Sequence, residues 1–263
     1  MIASGVLAQP ILEIVGLRKS YGGLQAVAGA SFSVRRGSLT ALIGPNGAGK
    51  TTLFDLVTGF TDPDQGAIRF ESRTIAGLPP HRIARLGLVR TFQLTRIFSA
   101  MTVLENMMLA PMGQPGESLL RMFRAASSSR RVEARLRESA LALLGRFNLQ
   151  DMADQYAGSL SGGQRKLLEL ARALMVEPRL VLLDEPMAGV NRVLGARLLD
   201  YVEELRRAQG MTFLFVEHDM DVVMTRADQV VVMAEGAVIA EGTPDVVRAD
   251  PRVIDAYLGR ASV

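Results

Sequence analysis

Cysteine is absent from this sequence, which excludes disulfides, thiolate catalysis and cysteine-ligated metal sites, and which fits a reducing compartment. Long apolar runs are also missing. None approaches the roughly 18 residues that span a bilayer, so we expect a soluble chain that reaches a membrane only through a partner. Residues 1–12 are uncharged but lack a basic start and contain Pro10, so they predict a loose tail over 1–10 and make a poor signal peptide.

Aromatic residues and excess charge are both scarce. Phe, Trp and Tyr make up 5% of the chain, and 30 basic side chains are nearly balanced by 27 acidic ones, for a formal charge of +3. The two signs are interspersed along the sequence. A solvated surface of mixed charge therefore explains the composition better than nucleic-acid binding, which uses basic patches and base-stacking aromatics.

What the sequence does contain is an alternation of strand and helix patterns over 263 residues, enough for one large α/β domain or a core plus a subdomain. The alternation predicts a mainly parallel sheet with an antiparallel β edge. The predicted strands are Ile11–Ser20, Ala30–Val34, Leu39–Ile43, Ala67–Phe70, Leu180–Leu183, Met211–Val216 and a hairpin over Gln229–Glu241 that turns at Glu235-Gly236.

Helical spacing replaces the strand patterns from about residue 94 to residue 158, with a break at Pro111–Gly116. This change of hydrophobic periodicity predicts an inserted helical subdomain. The arginine-rich stretch within it, Arg121–Arg137, is better explained as a solvated helix face than as a surface for anionic lipids.

Two further helices have recognisable ends. Asn191 is a suitable N-cap for a helix that Gly210 ends. Thr243 followed by Pro244 is a typical start, so a C-terminal helix is predicted there.

The stretch Gly44–Thr52 fits the phosphate-binding pattern G-x-x-x-x-G-K-[ST]. It follows the predicted strand Leu39–Ile43 and precedes apolar residues at helical spacing, which is the context the pattern requires. Glycines let backbone N–H groups turn toward an anion, and the helix N-terminus adds its positive dipole end. Lys50 can then reach the outer phosphates, and the Thr51 hydroxyl can bind Mg²⁺.

A second anion-binding pattern stands at Leu160–Gln164, before a strongly helical run. Its two glycines allow close backbone approach, Ser161 offers a hydroxyl, and the following helix offers a dipole end. The alternative is a plain helix N-terminus, which would not need the second glycine.

Tyr21, followed by Gly22-Gly23, also leaves two interpretations open. Its ring could stack on a purine, or it could be a strand-end residue that packs on the sheet.

Taken in order, these motifs resemble those of the ATP-binding subunits of ABC transporters. Gly44–Thr52 is similar to the Walker A motif, Leu160–Gln164 to the signature motif, and Leu180–Asp184 with Glu185 to Walker B and its catalytic glutamate. Three single residues complete the resemblance. Gln93 is similar to the glutamine of the Q-loop, His218 to the switch histidine and Tyr21 to the aromatic residue of the A-loop.

Other stretches resemble the larger ATPase subunit of branched-chain amino acid importers. They are Arg90–Gln93, Met101–Asn106, the basic insertion after it, Ala188–Asn191, Glu217–Met220 and Ala256–Gly259. Two departures lie beside the D-loop: Arg192 stands where proline is frequent, and Met187 where a small residue is usual.

The resemblance implies a P-loop NTPase that hydrolyses ATP with Mg²⁺. It implies catalytic roles for Glu185, His218, Gln93 and Lys50, and metal roles for Thr51, Gln93 and Asp184. It also implies nucleotide contacts by Tyr21, Gly44, Pro45, Asn46, Gly47, Ala48, Gly49, Lys50, Thr51, Thr52, Ser161, Gly162, Gly163 and Gln164.

The expected domain organisation has five parts. They are a tail (1–10), a core with the phosphate loop (11–93), a helical subdomain (94–158), the signature helix with Walker B and the switch region (159–242), and a C-terminal helical extension (243–263).

The function implied is to power uptake of branched-chain amino acids or related small polar solutes. The implied partners are a paralogous ATPase or a second copy of the chain, two membrane-spanning permease subunits and, through the complex, an extracytoplasmic solute-binding protein. Nucleic acid is not expected, and the implied location is peripheral, on the cytoplasmic face of the inner membrane. The alternatives are a transporter for urea, amides or aromatic acids, or a soluble ABC ATPase associated with nucleic acid.

Overall fold

The computed structural model describes residues 9–91, 97–110, 126–190 and 192–258. Four predictions lie wholly or largely outside these ranges: the tail over 1–10, Gln93, the break at Pro111–Gly116 and the cap at Asn191. The chain divides into two compact units. The first comprises residues 1–90, 179–186 and 202–263, and the second comprises residues 91–178 and 187–201.

Ten strands are present in the described residues. They are β1 Leu12–Tyr21, β2 Leu24–Val34, β3 Leu39–Ile43, β4 Gln65–Phe70, β5 Arg73–Thr74, β6 Leu88–Thr91, β7 Leu180–Asp184, β8 Thr212–Val216, β9 Gln229–Ala234 and β10 Ala237–Gly242.

The larger sheet has the strand order β10-β9-β3-β8-β7-β6. Strand β3 pairs in parallel with β8 and β9, and β7 pairs in parallel with β8. Strands β3, β7 and β8 are buried at every position, as expected for parallel strands covered on both faces. The predicted parallel core is therefore confirmed.

One antiparallel edge is also confirmed, since β10 pairs antiparallel with β9. The turn between them lies at Glu235 and Gly236, with φ values of 50° and 79°, which is the left-handed pair that a two-residue hairpin needs.

The N-terminal strands, however, do not extend that edge. They form a separate antiparallel sheet in the order β2-β1-β4-β5. Strand β2 begins at Leu24, six residues before the predicted Ala30, because β1 and β2 pair directly across Gly22-Gly23. The prediction of a single sheet edge was incomplete here, because it took no account of pairing between these strands.

Nine helices lie in the described residues. They are α1 Lys50–Val57, α2 Pro80–Arg85, α3 Val103–Met108, α4 Ala126–Arg146, α5 Gly162–Leu174, α6 Arg192–Gln209, α7 Met220–Arg226, α8 Pro244–Arg248 and α9 Pro251–Leu258. None of them, as far as the described residues extend, is long and apolar enough to cross a membrane.

Helix α1 buries Leu53, Leu56 and Val57, the face that its spacing predicts. Helix α5, which was expected to group with the core stretch 159–242, belongs to the second unit. The C-terminal helix predicted from Thr243 is interrupted. It ends at Arg248 and restarts at Pro251, because a proline disfavours helical geometry in the residue before it.

The core of the first unit joins both sheets to α1. Its largest fully buried side chains include Phe54 and Phe70, and it includes residues of β3, β7, β8 and β9. The loops that follow these parallel strands therefore start from fixed positions at one edge of the sheet, where ligands of such sheets bind.

Candidate nucleotide-binding site

The loop between β3 and α1 depends on its glycines in two ways. A Cβ on Gly44 (φ 149°) would lie 2.0 Å from the carbonyl oxygen of Met233, and one on Gly49 (φ 98°) would lie 2.3 Å from that of Ala26. Gly47 (φ 80°) has nothing within 4 Å of such a Cβ, so only its conformation requires glycine. Gly44 and Gly49 thus let the loop pack against neighbouring backbone, and Gly47 lies at a part of the loop that no other described residue covers.

Lys50 bends back over this loop. Its Nζ donates to the carbonyl oxygens of Gly44 at 2.7 Å and Pro45 at 3.0 Å, and the residue is 7% exposed. Burial lowers the pKa of Lys50, while the charges of Glu185 and Asp184 act in the opposite direction. A cation held by neutral carbonyls in a partly dry site is suited to exchange them for phosphate oxygens.

An open cavity of about 530 Å³ lies beside the loop. Many of the residues that line it were predicted to contact nucleotide or to act in catalysis. The lining consists of Tyr21, Leu24, Gln25, Ala26, Asn46, Gly47, Ala48, Gly49, Lys50, Thr51, Thr52, Glu185, Val216, His218 and Glu235.

Tyr21 stands at the end of β1 on the wall of this cavity and is 47% exposed. Lys19 Nζ lies 5.5 Å from the centroid of its ring and pairs with Asp64 at 3.0 Å. This exposed position favours stacking on a ligand over packing on the sheet.

Glu185 and His218 meet on the same wall. His218 Nε2 and Glu185 Oε1 are 2.8 Å apart, and the Glu185 N–H donates to Val216 at 3.1 Å. Glu185 has φ 49°, a left-handed conformation uncommon for glutamate. A backbone strained in this way at a strand end is typical of a functional site.

Asp184, the last residue of β7, is 6% exposed and has a partner that the motif assignments did not include. Arg90 Nη2 donates to Asp184 Oδ2 at 2.7 Å, and Arg90 Nη1 donates to Asp55 Oδ1 at 2.5 Å. The available signal was a single charged residue in the short strand β6, after Leu88 and Val89.

The C-terminal helix α9 also reaches the loop. Burial raises the pKa of Tyr257, and a hydrogen bond with the backbone of Gly44 acts in the opposite direction. In the sequence Tyr257 contributed only to a family resemblance, and this contact was missed.

The second anion-binding pattern begins helix α5, in the second unit. Ser161 Oγ accepts from the Gln164 N–H at 3.3 Å, and Gln164 Oε1 accepts from the Ser161 N–H at 2.9 Å, which forms a capping box. A Cβ on Gly163 would lie 1.7 Å from Leu194 Cδ2, whereas the nearest atom for one on Gly162 is 3.9 Å away. The second glycine therefore has a packing reason.

The structure thus brings Tyr21, most of the glycine loop, Glu185 and His218 to one cavity. Gln93, assigned to catalysis and metal binding, lies outside the described residues. Thr51 lines the cavity, but no cluster of three or more His, Asp or Glu suited to a metal occurs in the described ranges. The donor set of Thr51 and Asp184 fits Mg²⁺, which prefers few protein oxygens and completes its shell with phosphates and water.

The parallel sheet, the glycine loop and the buried lysine define a P-loop nucleotide-binding protein. Residues 27–188 match the ABC transporter family, and the chain belongs to that family. Residues 237–262 match a second family, described as branched-chain amino acid ATP-binding cassette transporter. The resemblance inferred from the motifs, and the P-loop NTPase fold that it implies, are confirmed.

Relatives of known name cover nearly the whole chain. The chain is 43% identical over 255 residues to the high-affinity branched-chain amino acid transport ATP-binding protein BraF of Pseudomonas aeruginosa, covering 97% of this chain and 100% of the relative. It is 40% identical to LivG of Escherichia coli K12, a protein with the same description, over the same shares.

Two solved structures are similar throughout. A nucleotide-free ATP-binding cassette from an ABC transporter has a TM-score of 0.82 at 39% identity, covering 95% of this chain and 99% of that one. The ADP conformation of an ATP-binding cassette has a TM-score of 0.81 at 38% identity, over the same shares.

Proposed function

We propose that this chain hydrolyses ATP to power an import system for branched-chain amino acids. One observation supports the hydrolytic role most directly: the hydrogen-bonded pair of Glu185 and His218 lines the same cavity as the glycine loop and Lys50. A binding protein would need the loop and the lysine. A hydrolase also needs a carboxylate placed to act on water, and Glu185 is such a group.

Phosphate binding begins at the loop. We infer that the triphosphate takes the place of the carbonyl oxygens that Lys50 now contacts, so that its ammonium neutralises the outer phosphates. Backbone N–H groups of residues 46–49 and the N-terminus of α1 add partial positive charge. Tyr21 then stacks on the base from the wall of the cavity.

Water activation is assigned to Glu185. Its carboxylate orients the attacking water in line with the γ-phosphorus and accepts its proton, while His218 fixes the carboxylate through the 2.8 Å hydrogen bond. Gln93 keeps the role in catalysis that the motif resemblance implies. Thr51 and Asp184 would hold Mg²⁺, which would neutralise charge on the phosphoryl oxygens.

The signature residues Ser161, Gly162, Gly163 and Gln164 act, in this proposal, on nucleotide held by another subunit. Two subunits, this chain with a paralogue or with a second copy, then close around ATP and separate after hydrolysis. The motion would be transmitted to membrane-spanning permease subunits fed by a solute-binding protein. The chain would accordingly sit at the cytoplasmic face of the membrane as a peripheral subunit.

Replacing Glu185 by Gln tests the hydrolytic role. The variant should bind ATP as the parent does but lose about 10²- to 10⁴-fold in turnover, because proton transfer to a placed base contributes that much. Phosphate release measures turnover, and light scattering should detect an associated species with Mg-ATP. Near-parental turnover would exclude Glu185 from this role.

Glu13→Gln is a matched control. Glu13 pairs with Arg69 at 2.9 Å on the surface, and both side chains are more than 40% exposed. This variant should hydrolyse ATP at the parental rate.

The cargo is supported by the match at residues 237–262 and by the names of the relatives. Membrane subunits and a binding protein that co-purify with the chain, reconstituted in vesicles, should take up leucine at the expense of ATP. If the vesicles took up urea, amides or aromatic acids in place of leucine, the proposed ATPase activity would stand, but the proposed cargo would be wrong.

A further inference from the structure

Arg90 is a buried cation to which the proposed mechanism gives no part. It lies in β6, and its side chain is 6% exposed. A buried charge is costly unless it is paired, so a guanidinium in this position requires an explanation.

Its two partners belong to the two elements that carry the proposed metal ligands. Nη1 donates at 2.5 Å to Asp55, on the same helix α1 as Thr51. Nη2 donates at 2.7 Å to Oδ2 of Asp184, at the end of β7. Within the described residues, Oδ1 of Asp184 has no hydrogen-bond partner, so the pairing with Arg90 leaves one carboxylate oxygen for another ligand.

Arginine suits this position better than lysine would. A guanidinium presents its N–H groups in a rigid planar fork, whereas an ammonium is a compact charge on a flexible stem. One fork that binds two carboxylates fixes their separation and their orientation together. The Phe54 ring, also on α1, lies 5.5 Å from Arg90 Cζ and restricts the guanidinium further.

We propose that Arg90 is a positioning residue for the metal, which it serves by fixing the Asp184 carboxylate relative to Thr51. The inference rests on the proposed function, in which these two residues serve Mg²⁺. Mg²⁺ demands nearly ideal octahedral geometry, so it tolerates a misplaced carboxylate poorly. The loop and Lys50 contact nucleotide directly, and a change at Arg90 should therefore weaken metal binding while it spares the metal-free nucleotide affinity.

Arg90→Lys separates these two effects. With Mn²⁺ as a paramagnetic probe and a non-hydrolysable ATP analogue at saturation, the metal should bind roughly 10- to 100-fold more weakly than in the parent, as when other groups behind a metal ligand are changed. Analogue affinity in EDTA should stay within about twofold of the parent, since neither Arg90 nor Asp184 is among the proposed nucleotide contacts. A purely structural defect would weaken both.

Asp55→Asn provides a second variant that keeps Arg90 and its bond to Asp184. It should show a smaller loss of Mn²⁺ affinity than Arg90→Lys. If Arg90→Lys does not fold, Asp55→Asn alone tests the proposal. Arg36→Lys is the matched control, because Arg36 pairs with Glu71 at 2.7 Å away from the cavity. Its Mn²⁺ affinity should equal that of the parent.

The outcomes are distinguishable. If Arg90→Lys and Asp55→Asn both hold Mn²⁺ like the parent, Arg90 does not position the metal, and the proposed ATPase function stands. If the parent itself binds no analogue, the proposed function fails, and this inference fails with it.

Discussion

Gly163 packs so closely against Leu194 that any larger residue must displace a neighbour. A Cβ on Gly163 would lie 1.7 Å from Leu194 Cδ2 and 3.5 Å from Val190 Cγ1. This contact holds α5 against the start of α6 within the second unit. A role for Gly163 in contacting nucleotide, which stays a prediction, must therefore be separated from its role in packing.

Gly163→Ala should destabilise the protein by about 1–3 kcal/mol, the usual cost of overpacking. A lower melting temperature in a thermal scan measures the effect. Adding Leu194→Ala should recover part of the loss, because it removes the atom in conflict.

Gly162→Ala is the control, since the nearest atom to its added Cβ is 3.9 Å away. An equal loss of stability at both glycines would contradict the packing explanation. ATPase assays on the double variant would then test the nucleotide role of residue 163 without the clash.

For single residues, the sequence predicted a role where that role depends on the residue type and its position in a motif. The roles of Lys50 and Glu185 were predicted in that way and stay predictions, and the structure brings both residues to one cavity. Arg90 and Tyr257 could not, because their importance arises from partners 94 and 213 residues away in the chain, Asp184 and Gly44. No local pattern contains such a pairing.

In the glycine loop, Gly44 and Gly49 pack against neighbouring backbone, whereas Gly47 is required only for its backbone conformation. Gly44→Ala should prevent correct folding of the loop, because the new methyl group would lie 2.0 Å from the Met233 carbonyl oxygen. Gly47→Ala has free space and should cost only about 1–2 kcal/mol for its left-handed backbone.

Melting temperature and ATP affinity distinguish the two variants. Gly47→Ala should remain folded, whereas Gly44→Ala should have a lower melting temperature and a lower affinity for ATP. If Gly44→Ala melted at the parental temperature with intact ATP binding, the close approach to Met233 would not constrain the loop.

The C-terminal helix α9 should make stability depend on alkaline pH. Tyrosine titrates near 10 in an unfolded chain, and burial raises the pKa of Tyr257 above that value in the folded state. Its contribution is therefore fully present below about pH 10 and is lost as the pH rises through the higher folded pKa.

Tyr257→Phe cannot ionise at this position, so it should lose less melting temperature than the parent between about pH 9 and pH 11. Tyr156→Phe, at a side chain 65% exposed, is the matched control for the removal of one hydroxyl. An identical alkaline loss in Tyr257→Phe and the parent would contradict the raised pKa of Tyr257, which is 37% exposed.

Elements with strong local signals were predicted well. The hairpin at Glu235-Gly236, the strand before the glycine loop and the helix after it all follow from turn chemistry or periodicity. The first half of β2 did not, because residues 24–29 become a strand only by pairing with β1. The interruption between α8 and α9 depends on Pro251, which the prediction of one C-terminal helix from Thr243 did not include.

For the whole molecule, the parallel core could be predicted because strands that alternate with helices are typical of a parallel sheet. The separate antiparallel sheet could not, because β4 joins β1 through contacts between distant segments, such as Leu12 with Phe70. Likewise, the alternation of elements along the chain does not reveal that α5 belongs to the second unit.

The chain contains no tryptophan, and Tyr21 lies half-exposed on the wall of the cavity beside the glycine loop. A Tyr21→Trp protein would therefore carry a single indole at the place where the base is proposed to stack. Its tryptophan fluorescence would report on that place alone, because the chain has no other indole. The arrival and departure of unlabelled ATP could then be followed optically in real time.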